Sequence, residues 1–349
     1  MNDLTGELIL KLSREHRLSR EEYKLLLEDS RSSVSELLAS EAVKARKEIY
    51  GCDVYIRGLV EISNICKNDC FYCGIRKSNS KVCRYRLSPE EITECCREGH
   101  GLGFRTFVLQ GGEDGFYTDK VLCDLVFRLK TEFPDSAVTL SLGERSFESY
   151  KMLRSAGADR YLLRHETANP DHYALLHPQS MSYENRMRCL FNLRELGYQV
   201  GCGFMVGSPG QNPGHISSDL KFIEEFQPEM CGIGPFIPQA DTPFGKEAAG
   251  SLELTCKLLS IIRLIKPNIL LPATTALGSI DPNGREKGIL SGANVVMPNL
   301  SPSSARKNYA LYDNKLSDGA ESAHRKTELE TRMSAIGYRV VSCRGDIIK

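Results

Sequence analysis

The sequence predicts an α/β protein built on a (β/α)8 TIM-type barrel, with N-terminal helices and a short C-terminal extension. Three observations predict it. Strand-like and helix-like segments alternate eight times between residues 51 and 307, and such alternation implies a parallel sheet that closes on itself. Ionisable residues recur at every second position of several strands, as expected where strands surround a central site. The fingerprint of the rival open, doubly wound sheet is missing: Gly201-Cys202-Gly203-Phe204-Met205-Val206-Gly207 has the wrong spacing, and its glycines lie within a strand.

The elements follow in order. Residues 1–50 read as an N-terminal helical extension, with Ser19 before Glu21-Glu22 and Ser33 before Leu37-Leu38 as expected N-caps. Residues 51–307 form the barrel. Val54–Ile62 is its first strand. Ser88-Pro89-Glu90-Glu91 opens a helix with a capping box and a proline at the first helical position. Thr106–Leu109 is the second strand, and Asp119–Thr131 a helix with Val121, Leu122, Leu125, Val126 and Leu129 on one face. Strands at Ala137–Leu142, Arg160–Arg164, Gln199–Met205, Met230–Ile233, Ile269–Leu271 and Asn294–Val296 then alternate with helices near 146–156, 183–196, 214–226, 251–265 and 284–291. Residues 308–349 are polar, hold one helical stretch near 322–336, and read as a tail packing on the barrel.

Charge excludes some partners. The 349 residues carry 45 basic and 45 acidic side chains, which gives no electrostatic reason to expect nucleic acid or an anionic membrane. The start, Met1-Asn2-Asp3-Leu4, has no apolar leader, and Val54–Ile65 is broken by Arg57 and Glu61. A cytoplasmic location is expected. Thirteen cysteines, an odd number in a long chain, do not suit a secreted disulfide framework. Cys95, Cys96, Cys123, Cys189 and Cys256 fall in helices and read as small core residues.

Three cysteines are bunched. Cys66-x3-Cys70-x2-Cys73 follows the first strand, in a loop at its C-terminal end, the active-site face of such a barrel. Three thiolates there can each hold one iron of a cubane and leave a fourth iron open, whereas clusters usually take four cysteines. A structural zinc site wants four ligands, and a catalytic one usually includes histidine or glutamate; Cys52 and Cys83 follow no zinc spacing.

The fourth strand concentrates charge. Arg160, Leu162, Arg164 and Glu166 share one face, and Tyr161, Leu163 and His165 the other. Ionisable groups facing a barrel centre are costly unless partnered, so they mark a site or a buried ion network. On the first strand Arg57, Glu61 and Ser63 alternate with Ile56, Val60 and Ile62; on the third, Ser141 shares a face with Thr139. Gln110-Gly111-Gly112-Glu113-Asp114 forms a turn after the second strand.

The cysteine loop, with aromatic Tyr72 just before its last cysteine, resembles the signature of the radical S-adenosylmethionine (SAM) superfamily. The resemblance implies one 4Fe–4S cluster on Cys66, Cys70 and Cys73, chelation of the open iron by SAM, and cleavage of SAM to a 5′-deoxyadenosyl radical. It implies SAM contacts from Tyr72, from the motif Gly111, Gly112 and Glu113, and from Ser141, Glu166, Arg186, Ile233 and Met297.

Longer strings are similar to the FeFe-hydrogenase maturases of the HydE family. They are Tyr85-Arg86-Leu87-Ser88-Pro89-Glu90-Glu91, Leu140-Ser141-Leu142-Gly143-Glu144, the stretch from Asp159 to Pro170, Gly234-Pro235-Phe236-Ile237-Pro238, Pro272-Ala273-Thr274-Thr275-Ala276 and Asn294-Val295-Val296-Met297-Pro298-Asn299. That resemblance spans residues 50–312. It implies assembly of the hydrogenase di-iron subcluster from a small iron carbonyl–cyanide precursor carrying cysteine, with Arg160, Arg164, Thr274, Thr275 and Tyr309 facing it. It also implies a low-potential electron donor and other hydrogenase maturases as partners. Some members carry an accessory cluster on C-terminal cysteines, but Tyr312–Lys326 has none and Cys343 stands alone, so no second cluster is expected. Methylornithine synthase, which rearranges lysine, and biotin synthase share the barrel. Biotin synthase needs a second cluster inside the barrel, for which the inward positions offer no cysteines; the Arg164-His165-Glu166-Thr167 string favours the maturase over methylornithine synthase. A non-catalytic Fe–S scaffold would need the cysteines but neither Gly111–Glu113 nor the charged fourth strand.

Overall fold

The computed structural model describes residues 4–316 and 321–348; the expectations made for Met1–Asp3, for residues 317–320 and for Lys349 lie outside the described residues. Three helices open the chain: α1 (Leu4–Glu15), α2 (Arg20–Glu28) and α3 (Ser32–Tyr50). They pack on α9 (Pro213–Phe226) and α10 (Leu252–Ile265). The Ser19 cap forms, with Glu22 closing a capping box. Ser33 is not a cap: α3 already begins at Ser32, behind Arg31, whose side chain makes no capping bond.

The first barrel strand is two segments, β1 (Asp53–Ile56) and β2 (Gly58–Ser63), parted at Arg57. The ring continues through β3 (Thr106–Gly111), β4 (Ala137–Ser141), β5 (Arg160–Leu162), β6 (Gln199–Cys202), β8 (Met230–Cys231) and β10 (Val295–Val296). All their pairings are parallel. The seventh position, expected as a strand at Ile269–Leu271, holds only the bridges Met230↔Leu270 and Pro272↔Val295. With β1 paired to β10 through Tyr55↔Val295, those bridges complete a ring of eight. Short segments β7 (Met205–Val206) and β9 (Gly234–Pro235) extend β6 and β8 beyond glycine-containing breaks.

The outer layer is α4 (Pro89–Gly101), α5 (Asp119–Glu132), α6 (Phe147–Ser155), α7 (Pro170–Leu176), α8 (Tyr183–Glu195), α9, α10, α11 (Thr275–Ile280), α12 (Gly284–Leu290) and α13 (Ser303–Asn308). The Ser88 capping box with Pro89 starts α4 as the sequence predicts. Helix α7 was not expected; Asn169 caps it and Pro170 begins it. Valine, leucine and isoleucine facing outward from the strands meet these helices in one continuous core, whose burial is the main favourable term of folding. Among the described residues no helix is long and apolar enough to cross a membrane.

The C-terminal stretch supplies a strand that the sequence did not suggest. After α14 (Lys326–Ala335), β11 (Arg339–Val341) pairs in parallel with β1, in the register Asp53↔Arg339 and Tyr55↔Val341. It occupies the edge of β1 that β3 leaves free, at the N-terminal end of the barrel. Residues 344–346 then reach Thr106 and Arg160.

Candidate active site

The loop after β2 carries Cys66, Cys70 and Cys73, all partly buried and all free thiols. It is tied down on several sides. The Arg84 guanidinium donates to the carbonyls of Asn64, Ile75, Arg76 and Asn79, and Phe71 N–H donates to Leu176 O at 3.1 Å. Burial pushes the Cys66 thiol up, Cys70 well up and Cys73 up to about 12. Such thiols are poor free nucleophiles, and binding iron would displace their protons. Among the described residues no three His, Cys, Asp or Glu side chains converge tightly enough for one metal ion. Three thiols on one loop suit a cubane, whose irons take one thiolate each.

The Gly111-Gly112-Glu113 turn interlocks with this loop. A Cβ on Gly112 would sit 2.2 Å from Ile65 O and 2.8 Å from the Cys66 Cβ, so only glycine allows the approach. Glu113 N–H points at Cys66 Sγ, 3.4 Å away. The Glu113 carboxylate accepts from Glu144 N–H at 3.0 Å and pairs with Lys67 at 2.9 Å. It lies across Gly143, whose φ of 72° and close approach to the Glu113 side chain both require glycine. Asp114, held by Arg86 and Ser63, anchors the far side of the turn.

Beneath the loop a cavity of about 220 Å³ runs down the barrel axis. Tyr72, Cys73, Arg164, Ile233, Thr274, Thr275 and Met297 line it, all sequence-expected site residues. Thr139 and Gln110 line it too; Ser141 stands next to Gln110 in the β3–β4 register. Arg164 Nε and Nη2 and Thr274 Oγ1 are buried there without a hydrogen-bond partner among the described residues. Thr275 Oγ1 is already committed to Glu321 at 2.8 Å. Tyr309 is buried behind the wall, with its hydroxyl 3.4 Å from Gln110 Nε2.

Glu166 and Arg186 are buried and do not line the cavity. Glu166 has φ 64°, a costly backbone for a non-glycine residue, held by its N–H on Gly203 O at 3.0 Å; its carboxylate lies 3.7 Å from Arg164. Arg186 is engaged by Glu144 at 2.6 Å and by the Arg164 carbonyl at 2.7 Å.

Arg160 corrects the expectation made for it. It does face inward, but it is wholly buried at the barrel floor and does not line the cavity. Its guanidinium is used up by Asp346 at 2.6 Å, Arg344 O, Thr106 Oγ1 and Gln199 Oε1. It is a buried ion network. Periodicity gives the face of a strand but not the height along it, and Arg160 stands one full pleat repeat and more below the mouth.

Two features of the site escaped the sequence, one in the cavity wall and one behind it. Lys315, from the strap that follows α13, enters the cavity and pairs with fully buried Glu61 at 2.6 Å. The strap is fastened by Asn64 Nδ2 to Asn308 O, by Gly74 N–H to Leu311 O and by Ala240 N–H to Asp313. His177, after α7, accepts from the Tyr72 hydroxyl at 3.2 Å. Neither lies in a periodic segment, so no pattern could have found it.

With this geometry in hand, comparisons with known proteins agree. The family model described as the radical SAM superfamily matches residues 60–223. The chain is 45% identical over 313 residues to the FeFe-hydrogenase maturase subunit HydE of Thermotoga maritima, covering 90% of this chain and 89% of that protein. It is 30% identical over 318 residues to 3-methylornithine synthase of Methanosarcina acetivorans, covering 90% and 88%. The solved structure of methylornithine synthase superposes with a TM-score of 0.85 at 26% identity, covering 96% of this chain and 97% of that one.

Proposed function

The chain belongs to the radical SAM superfamily and, within it, to the HydE family; we propose that it matures FeFe-hydrogenase by acting on a small iron carbonyl–cyanide precursor that carries cysteine. It is a radical SAM enzyme, and a 4Fe–4S cluster and SAM are features of that family. When bound, the two supply one-electron cleavage of the SAM sulfonium and a 5′-deoxyadenosyl radical. Cys66, Cys70 and Cys73 would hold the cluster. Glu113 would hold the methionyl ammonium, and Tyr72, Ser141, Glu166, Arg186, Ile233 and Met297 would seat the rest of SAM. One cluster is proposed, since the segment 312–326 holds no cysteine. A low-potential electron donor, partner maturases and a cytoplasmic setting belong to the same proposal.

One observation carries the substrate assignment: Arg164 presents two donor nitrogens without hydrogen-bond partners to the cavity. The Glu166 carboxylate stands 3.7 Å from Nε, and the donors left over on Nη2 suit a further anion in the cavity. Arg57, deeper in the same wall, leaves Nε and Nη2 unpartnered as well. Thr274 Oγ1 offers a further polar contact, while Leu162, Ile233 and Phe236 keep water from the reacting centre. An anionic iron–cyanide complex answers these groups. Lysine, the substrate of the methylornithine synthase reading, brings an extra ammonium, and Glu61, the one carboxylate among the described residues that line the cavity, is already paired with Lys315. The identity to 3-methylornithine synthase keeps that second reading in view.

Arg164→Gln tests the choice. Iron content and uncoupled SAM cleavage are expected to persist while hydrogenase maturation in a reconstituted assay collapses. Undiminished maturation by the variant, or conversion of lysine to methylornithine by the wild type, overturns the assignment.

A further inference from the structure

The cysteine loop rests on a short platform supplied by the segment after α7. Phe71 N–H donates to Leu176 O at 3.1 Å. The Tyr72 hydroxyl meets His177 Nε2 at 3.2 Å. Cys70 Sγ lies 3.6 Å from Met181 Sδ. Three consecutive residues of the loop therefore touch one six-residue stretch, through a backbone, a ring and a thiol.

His177 is the polar member of that platform, and its tautomer follows from its neighbours. Nδ1 lies 2.9 Å from Tyr173 O. A carbonyl only accepts, so Nδ1 carries the hydrogen and Nε2 presents a lone pair. Nε2 is thus an acceptor, and the Tyr72 O–H is the donor. The imidazole is buried, stacked on Tyr173 with centroids 4.0 Å apart and met edge-on by Tyr72 at 5.5 Å. Tyr72 itself lines the cavity beside Cys73, whereas His177 does not reach it. The imidazole cannot touch a ligand in the cavity; it can only fix the ring that does.

We propose that His177 is a positioning residue: by accepting from the Tyr72 hydroxyl it fixes the Tyr72 ring, and with it the floor on which SAM is seated beside the cluster. This rests on the cluster and SAM reading above and is independent of the substrate assignment. The hydroxyl is held away from the cavity, so the ring presents a defined face instead of a rotating polar tip. The partner lies 105 residues downstream, at the C-terminal end of α7, the helix whose N-terminal side follows the turn that carries Glu166.

Five variants of the anaerobically reconstituted full chain, three single and two double, test it, read by iron content and by equilibrium SAM binding. His177→Phe keeps the stacking but removes the acceptor, and Tyr72→Phe removes the donor. Each is expected to weaken SAM affinity about 3- to 10-fold, the value of one neutral hydrogen bond, with iron content as in the wild type. His177→Gln restores an acceptor near Nε2 and should bind SAM more tightly than His177→Phe. In a Tyr72→Phe background, Gln and Phe at position 177 should bind SAM alike. A structural role alone would not give that last equality. Wild-type affinity in Tyr72→Phe overturns the proposal even if His177→Phe does not fold. So does a Gln–Phe difference that survives loss of the hydroxyl. A wild type that takes up no iron would instead overturn the cluster reading.

Discussion

Replacing Lys315 with Met should destabilise the protein in a pH-dependent way. Glu61 is fully buried, and Lys315 Nζ, on a side chain only 10% exposed, sits 2.6 Å from its carboxylate. Removing one member of a buried pair costs about 3–5 kcal/mol when the other must stay charged. Glu61 has an escape, which is to take up a proton. Burial already raises its pKa above the usual 4.5, with Lys315 the main opposing influence; losing Lys315 raises it further. A raised folded-state pKa means that the folded chain binds the proton more tightly than the unfolded one. The stability involved is fully present below about pH 4.5 and is lost as pH rises through the folded value. The gap in melting temperature between wild type and Lys315→Met should therefore be small near pH 5 and widen towards pH 8, to on the order of 5 °C. Thermal unfolding of the apoprotein by circular dichroism measures it. A gap that is absent, or the same at every pH, would refute the reasoning, because an exposed Glu61 has no reason to protonate.

Other outcomes follow from the same geometry. Reconstituted wild type should hold about four irons and four sulfides, and Cys70→Ala should abolish SAM cleavage by dithionite; a content near eight irons would contradict a single cluster. Glu113→Ala should keep its iron and lose SAM affinity by about 10- to 150-fold, the value of a charged hydrogen bond, whereas Lys67→Met, which removes only the exposed partner of Glu113, should bind SAM at least as well as wild type. Asp346→Asn should lower the melting temperature and leave SAM affinity alone, since Asp346 acts on Arg160 at the floor. Burial pushes the Asp346 carboxyl up, but Arg344 and Arg160 outweigh it and hold it at about 2. Its contribution is complete above about pH 4 and disappears as pH falls towards 2, so the variant and wild type should converge on acidification.

The legible parts of the molecule were those written in local patterns. Alternation predicted strands at all eight positions of the ring, seven of which are strands, capping residues fixed α2 and α4, and Cys66, Cys70 and Cys73 fall in the loop that leaves the C-terminal end of β2, as their place after the first predicted strand implied. The inward phase of the fourth strand was correct, since Leu162 and Arg164 line the cavity and His165 packs outward on Phe222. Depth was not legible. Arg160 and Arg164 share a face, yet one is spent on the floor and the other is open to the cavity, a difference made by Asp346. Lys315 and Asp346 lie in polar stretches whose composition matches any solvated tail. Only the fold reveals that each brings a charge back to a buried partner, 254 and 186 residues away.

The pairing of β1 with β11 bears on how the chain can be made. Asp53 and Arg339, which lie opposite each other and also form an ion pair, are 286 residues apart. During vectorial synthesis β1 emerges early and waits without its neighbour on that edge until β11 follows. Contacts of such long range are slow to form, and domains of this size fold through intermediates. The nascent barrel therefore passes through an unsealed stage, in which the cysteine loop is complete while the floor is still open. Sealing of the floor by residues 339–346 then comes as a late step.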